Sequence, residues 1–392
     1  MTQLRPELTE HHPDPEVSAG DVPAPDPVET DLRSVEHELS AFLSARAHGA
    51  AAYGEDYARL WQAVEESSRG GKRLRPRLVL SAFHGLAGFG RADHPDRAAD
   101  QDHIADGGRA AAVQTAVAFE LLHSAFLLHD DVIDGDTVRR GRPNVAGEFS
   151  ADALFRGAGI PRARLWGESA AILAGDLLLH AAAQHIARLA VAEATRARLL
   201  DLIDQAVFVT AAGELADVGL ATGMSASGLP DVLAMTASKT AEYSVSGPLA
   251  AGALLAGAGD DVVELLARYG RLVGVAFQLG DDLLGVYGDA TVTGKTVVGD
   301  LQQGKETTLI AFARGTAQWP DLEPLFGRDD LGPDGTAELA AGLERCGARA
   351  FAERLLADHV AAAVAALDTP LLPSALAATL TGVARGCVGR AA

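Results

Sequence analysis

Apolar residues run along this chain in long stretches, seldom alternating with polar ones. The segment Ala110–His129 (AAAVQTAVAFELLHSAFLLH) is apolar almost all round, the pattern of a helix buried at the centre of a bundle. Ala- and Leu-rich stretches recur at Ser169–Ala192, Ala194–Leu220, Leu229–Ala258, Asp260–Val286 and Ala348–Leu367. Clusters of Gly and Pro separate them at Gly88–Gly108, Gly141–Pro161, Gly223–Gly228 and Pro320–Gly335, where helices stop. The first and last of these clusters read as surface insertions. No sustained Val/Ile/Thr alternation marks a strand. The expectation is an all-α fold without a sheet, a single large helical bundle.

The first 31 residues break this pattern. They hold six of the 17 prolines and eight acids against one arginine. So little apolar surface cannot offset the entropy of ordering, which predicts a disordered acidic tail over 1–31 and one all-α domain over 32–392. The tail also lacks the basic start and apolar stretch of a signal peptide.

Composition narrows the function. Of 392 residues, 48% are hydrophobic and 22% charged, ample for a large core. The net charge of −20, of which the tail supplies −7, argues against nucleic acid as the main partner. No run of 18 uninterrupted apolar residues occurs, so a transmembrane segment is not expected. Two cysteines, Cys346 and Cys387, are too few for a disulfide framework, and a reducing, cytoplasmic localisation is the default.

The chemistry concentrates in three places. Asp130, Asp131 and Asp134 close the apolar helix as DDVID. Asp130 and Asp134, four apart, share a helical face, where like charges repel unless a cation lies between them. A hard divalent ion takes such oxygen ligands, though a solvated helix end can look the same. Basic residues form the second set. Lys72 and Arg75 stand three apart in GGKRLRP, and Arg139-Arg140 follow the acids by five residues. Arg forks and Lys point charges suit phosphate oxygens, although a Lys/Arg run is often only a solvated face. The third place is FQLGDDLLG, with Asp281 and Asp282 inside an apolar helix and Lys295 and Lys305 beyond it.

Taken in order, GGKRLRP, LLHSAFLLHDDVIDGDTVRRGRPN, LAGDLLL, SKTAEYS, FQLGDDLLGVYGD and TGKTVVGDLQQGKETTL resemble the trans-isoprenyl (polyprenyl) diphosphate synthases, over residues 70–309. The resemblance implies a bundle around a deep central pocket, usually homodimeric. It implies Mg²⁺, three ions with substrate bound, held by Asp130, Asp134 and Asp281 with Asp131 and Asp282 in support. Arg139, Lys239, Thr240, Gln278, Lys295 and Lys305 would line an allylic diphosphate. Lys72, Arg75, His123 and Arg140 would bind isopentenyl diphosphate. In the implied reaction the allylic C–O bond breaks, the electron pair leaves with diphosphate, and the double bond of isopentenyl diphosphate attacks the carbocation before a proton is lost. Gly285 departs from the pattern, standing where many members carry a third Asp.

Chain length follows from the helix ahead of DDVID. Phe126 lies four residues before Asp130, about 6 Å up the helix on the same face. In the family, the residues four and five before the first Asp help set product length, and here the fifth is the small Ala125. One bulky plug with no insertion in DDVID predicts a C20 product, geranylgeranyl diphosphate, with C15 farnesyl diphosphate second. A class I terpene cyclase shares the ionisation chemistry but has no use for Lys72, Arg75 and His123. A non-catalytic partner subunit would normally have lost DDVID.

Overall fold

In the computed structural model, residues 26–89, 101–139, 141–225, 228–288, 299–328 and 330–391 are described. Helices dominate them. The first is α1 (Pro27–Ala50), followed by α2 (Glu55–Ser67), α3 (Leu74–Leu86) and α4 (Gln101–Ile133). Then come α5 (Val145–Phe155), α6 (Ile160–Ala187), α7 (Glu193–Ala221) and α8 (Leu229–Thr236). A ten-residue π-helix (Ala237–Ser246) joins α8 to α9 (Gly247–Leu255), and α10 (Asp260–Tyr287) follows. The C-terminal part comprises α11 (Gly299–Gln302), α12 (Thr308–Arg314), α13 (Trp319–Leu322), α14 (Pro333–Arg345), α15 (Ala348–Ala366) and α16 (Ser374–Ala391).

Two apolar clusters form the core. The first gathers α1 to α7 around α4, whose Phe119, Leu121, Leu122 and Ala125 are all but sealed from solvent. The second surrounds α10 with the C-terminal helices, through Leu266, Tyr269, Val273, Ala276 and Leu279. Each buried Leu contributes about 1.5–3 kcal/mol. The α9 helix belongs to both clusters, with Leu249 in one and Ala251 in the other. Helices α4 and α10 carry the two acidic motifs, and the π-helix packs against α10 and α7.

Several expectations change. Helix α1 begins at Pro27, where the Asp26 side chain accepts a hydrogen bond from the Val28 N–H. Residues 27–31 therefore belong to the folded body, not to the tail. Asp31 is 1% exposed and held by Arg109 and His84, partners that its local sequence does not reveal. The stretch 101–108 is helical and continues into α4. Gly141–Pro161 contains α5, capped by Asn144, and the start of α6, where Pro161 needs no N–H partner. The stretch 320–335 is not a bare surface insertion, since Leu322 and Leu331 are buried in the second cluster beside Trp319. One short sheet exists after all: Val138–Arg139 pairs antiparallel with Arg142–Pro143.

Two helices, Gly107–Ile133 and Ile160–Ala187, are long and apolar enough to cross a membrane by length and composition. Neither holds 18 uninterrupted apolar residues. The apolar window of the first is 72% buried by neighbouring helices, as befits a core helix, whereas that of the second is 44% buried.

Candidate active site

The end of α4 is shaped by its own backbone. The Asp134 N–H bonds the Asp130 carbonyl at 2.8 Å, and the Asp136 N–H reaches the Asp131 carbonyl at 2.8 Å. Gly135 turns the chain with φ +70°, a conformation that a side chain would resist. The small hairpin then folds Arg139 back over the acids. Its Nε donates to Asp131 Oδ1 at 2.6 Å and its Nη2 to Asp130 Oδ2 at 3.0 Å.

Two further cations arrive from distant parts of the chain. Lys239 Nζ, on the π-helix, lies 3.2 Å from Asp130 Oδ1. It also meets Asp217 at 2.7 Å and Glu214 at 3.0 Å, both on α7. Lys305 Nζ donates to Asp134 Oδ2 at 2.5 Å. Close by, Gln303 Nε2 donates to Asp136 at 3.3 Å. Lys239 reaches this place because Gly213 lets α7 approach the π-helix. A Cβ at Gly213 would lie 2.3 Å from the Lys239 backbone nitrogen.

Burial and charge compete at each acid. Burial works to raise Asp130, but Lys239, Arg139 and Lys305 together hold it below the usual carboxylate range. For Asp131 burial wins over Arg139 and pushes it up to about 6. Burial and the neighbouring Asp130 also raise Asp134, against Lys305. Burial opposes the charge on Lys239, yet Asp130, Asp217 and Glu214 keep its ammonium protonated far above the ordinary lysine range.

The arrangement fits a divalent cation. Asp130, Asp131, Asp134, Glu214 and Asp217 face Arg139, Lys239 and Lys305, so the five carboxylates outnumber the cations by two. All the donors are hard oxygens. Among the described residues, no three His, Cys, Asp or Glu side chains converge closely enough to hold a metal on their own. Such a donor set suits Mg²⁺, which keeps other oxygens, those of a phosphate included, in its shell.

The second acidic motif joins this centre through hydrogen bonds. Thr240 Oγ1 donates to Gln278 Oε1 at 3.0 Å, and Gln278 Nε2 donates to Asp282 Oδ1 at 3.0 Å. Thr240 is adjacent to Lys239, so the π-helix links the acids of α4 to those of α10. Asp282 is buried and Asp281 exposed. Gly285 lies in the same helix and leaves the pair without a third acid.

Two members of the basic set, Arg75 and His123, meet at an aromatic ring. The Arg75 guanidinium sits 4.7 Å from the centre of the Tyr243 ring, and its Nη2 donates to Ser244 Oγ at 2.7 Å. His123 stacks on the same ring at 6.1 Å, and Phe126 meets it edge-on at 4.8 Å. Lys72 is exposed, and Ala125 is fully buried in the first core cluster. Arg140 and Lys295 lie outside the described residues.

Sequence reasoning missed Glu214, Asp217 and Tyr243. Two acids three apart inside an otherwise apolar stretch were a usable signal for the first pair. Tyr243 was visible only as a letter in SKTAEYS.

A family model described as polyprenyl synthetase matches residues 58–334. A geranylgeranyl diphosphate synthase of Mycobacterium tuberculosis is 33% identical over 313 residues, 78% of this chain and 78% of its own. A (2E,6E)-farnesyl diphosphate synthase of Mycobacterium bovis is 32% identical over 340 residues, 82% of this chain and 80% of its own. Among solved structures, a geranylgeranyl pyrophosphate synthase from Corynebacterium glutamicum, complexed with isoprenyl diphosphate and magnesium, superimposes with a TM-score of 0.81. It is 27% identical, and the match covers 93% of this chain and 99% of that one.

Proposed function

The chain belongs to the polyprenyl synthetase family, and from that premise we propose that it is a short-chain trans-prenyltransferase. It joins isopentenyl diphosphate to an allylic diphosphate, and its product is geranylgeranyl diphosphate. One observation carries this reading: Arg139, Lys239 and Lys305, from three separate parts of the chain, converge on Asp130, Asp131 and Asp134.

Charge explains why both signs are needed. At ~4 Å and an effective dielectric of ~20, each like-charge pair costs about 4 kcal/mol, so a diphosphate cannot approach bare carboxylates. Asp130 and Asp134, with Asp281 from α10, would hold Mg²⁺. Bound magnesium supplies Lewis-acid stabilisation of the departing diphosphate. Arg139, Lys239 and Lys305 donate to the diphosphate oxygens, while Thr240 and Gln278 orient Asp282. Arg75 and His123, fixed against Tyr243, receive the second diphosphate together with Lys72. The apolar α4 wall beyond Asp130 excludes the water that would quench a carbocation.

Product length rests on Phe126, whose ring lies beside Tyr243 one turn from Asp130. The relatives described above include both geranylgeranyl and farnesyl synthases, and Phe126 with the small Ala125 favours the C20 product. A homodimer completes the reading. Leu165, Ile172 and Leu173 on α6, with Phe208 and Leu215 on α7, are exposed, an apolar face of the kind that a second subunit covers. Two free thiols, Cys346 and Cys387, accord with a reducing, cytoplasmic setting.

The test is incubation with labelled isopentenyl diphosphate and each allylic starter, with and without Mg²⁺. Elongation should stop in excess EDTA, and Asp130→Ala should lose at least ~1000-fold in kcat/KM. Equal turnover in EDTA, or near-normal turnover in Asp130→Ala, would defeat the reading.

A further inference from the structure

Arg73 is the one non-glycine residue at positive φ (47°) among the described residues. It precedes α3 as its N-cap and follows Gly70 and Gly71, at φ 77° and 95°. Glycine tolerates this left-handed backbone, whereas a residue bearing a Cβ resists it. The conformation persists where surrounding contacts over-determine it.

Those contacts surround the guanidinium. Nε and Nη2 donate to the Glu36 carboxylate of α1, the latter at 2.9 Å. Nη1 donates to Glu120 Oε1 of α4 at 2.6 Å, and Nη2 also reaches the Ser68 carbonyl at 3.0 Å. Arg73 and Glu120 are both buried, while the Glu36 side chain is 49% exposed. Forked Arg–carboxylate pairs set direction as well as distance. The clamp joins three points around the aromatic-based basic set: the loop bearing Lys72, the start of α3 that carries Arg75, and α4 one turn before His123.

We propose that Arg73 is a positioning residue, whose clamped left-handed backbone aims Lys72 and Arg75 at the second diphosphate. Its own guanidinium is taken up by Glu36, Glu120 and the Ser68 carbonyl. A purely structural ion pair would have no need of a strained backbone between two phosphate-seeking residues. The inference rests on the reaction proposed above and deepens it.

Full-length Arg73→Lys and Glu36→Gln test it, with KM measured separately for isopentenyl diphosphate and for the allylic partner. Lysine keeps the charge but loses the fork. The KM for isopentenyl diphosphate should rise roughly tenfold to a hundredfold, with the allylic KM within about twofold and the thermal midpoint of Glu36→Gln close to wild type. Glu36→Asp should restore most of the loss. If Arg73→Lys does not fold, Glu36→Gln, at its half-exposed position, carries the test. Two rising KM values, or a fall in kcat and thermal midpoint with unmoved KM, overturns the proposal. A wild-type protein unable to elongate isopentenyl diphosphate removes the reading of function and the positioning role with it. An active wild type whose folded variants keep their isopentenyl diphosphate KM removes the positioning role alone.

Discussion

Single residues here act through where burial puts them. Asp130, Asp131 and Asp134 share one helix end yet shift in different directions, because burial raises all three and only at Asp130 do the neighbouring cations outweigh it. Phe126 shows the same dependence on surroundings. Its ring packs edge-on against Tyr243, and truncating it removes that bulk from the α4 face. Phe126→Ala should shift the product toward chains longer by at least one isoprene unit, read by mass spectrometry of the dephosphorylated products. An unchanged distribution would remove its role as a plug. That Phe126 lies near Asp130 was legible from helical spacing. Its contact with Tyr243, 117 positions further along, was not, because spacing says nothing about which helices pack together.

At the scale of elements, the π-helix does what an α-helix at the same place would not. The apolar run Leu229–Ala258 reads as one helix, and its ends are nearly right, but residues 237–246 are wound more widely. Wider winding rotates Lys239 and Thr240 relative to the flanking turns, and such segments are often found at functional sites. Gly213 sets how closely α7 can approach. In an ordinary helix Gly→Ala gains about 1 kcal/mol. Here the added methyl would meet backbone atoms of Lys239 at 2.3 and 2.7 Å. Overpacking of this kind costs about 1–3 kcal/mol, so the clash outweighs the propensity. Gly213→Ala should lower the thermal midpoint and reduce kcat at least about tenfold; a raised midpoint with full activity would contradict this. Helix α4 was the easier element, since its all-round apolar pattern needs no partner to be recognised.

For the whole molecule, two cores meet along α9, and the acidic ends of α4 and α10 are tied together through Lys239, Thr240, Gln278 and Asp282. Helices α6 and α7 expose several large apolar side chains, among them Phe208 and Leu215 at 73% and 75%. On the homodimer proposed above, the wild type should sediment as a dimer and a double Phe208→Glu, Leu215→Glu variant as a monomer, since a buried unpaired carboxylate costs more than an interface of this kind can absorb. An unaltered sedimentation coefficient would place the contact elsewhere.

Periodicity and local composition by themselves determined that the protein is helical, that α4 is central, and that clusters of acids and of bases, of the kinds that suit a divalent cation and a polyanion, are present. These are local properties, written in runs and spacings of a few residues. Only the tertiary structure decided that Glu214 and Asp217 hold Lys239, that Arg73 is clamped by Glu36 and Glu120, that residues 27–31 belong to the helical body, and that Trp319, Leu322 and Leu331 lie in the core. Each depends on partners far apart in the chain, whose attraction becomes strong only once packing has removed the water between them.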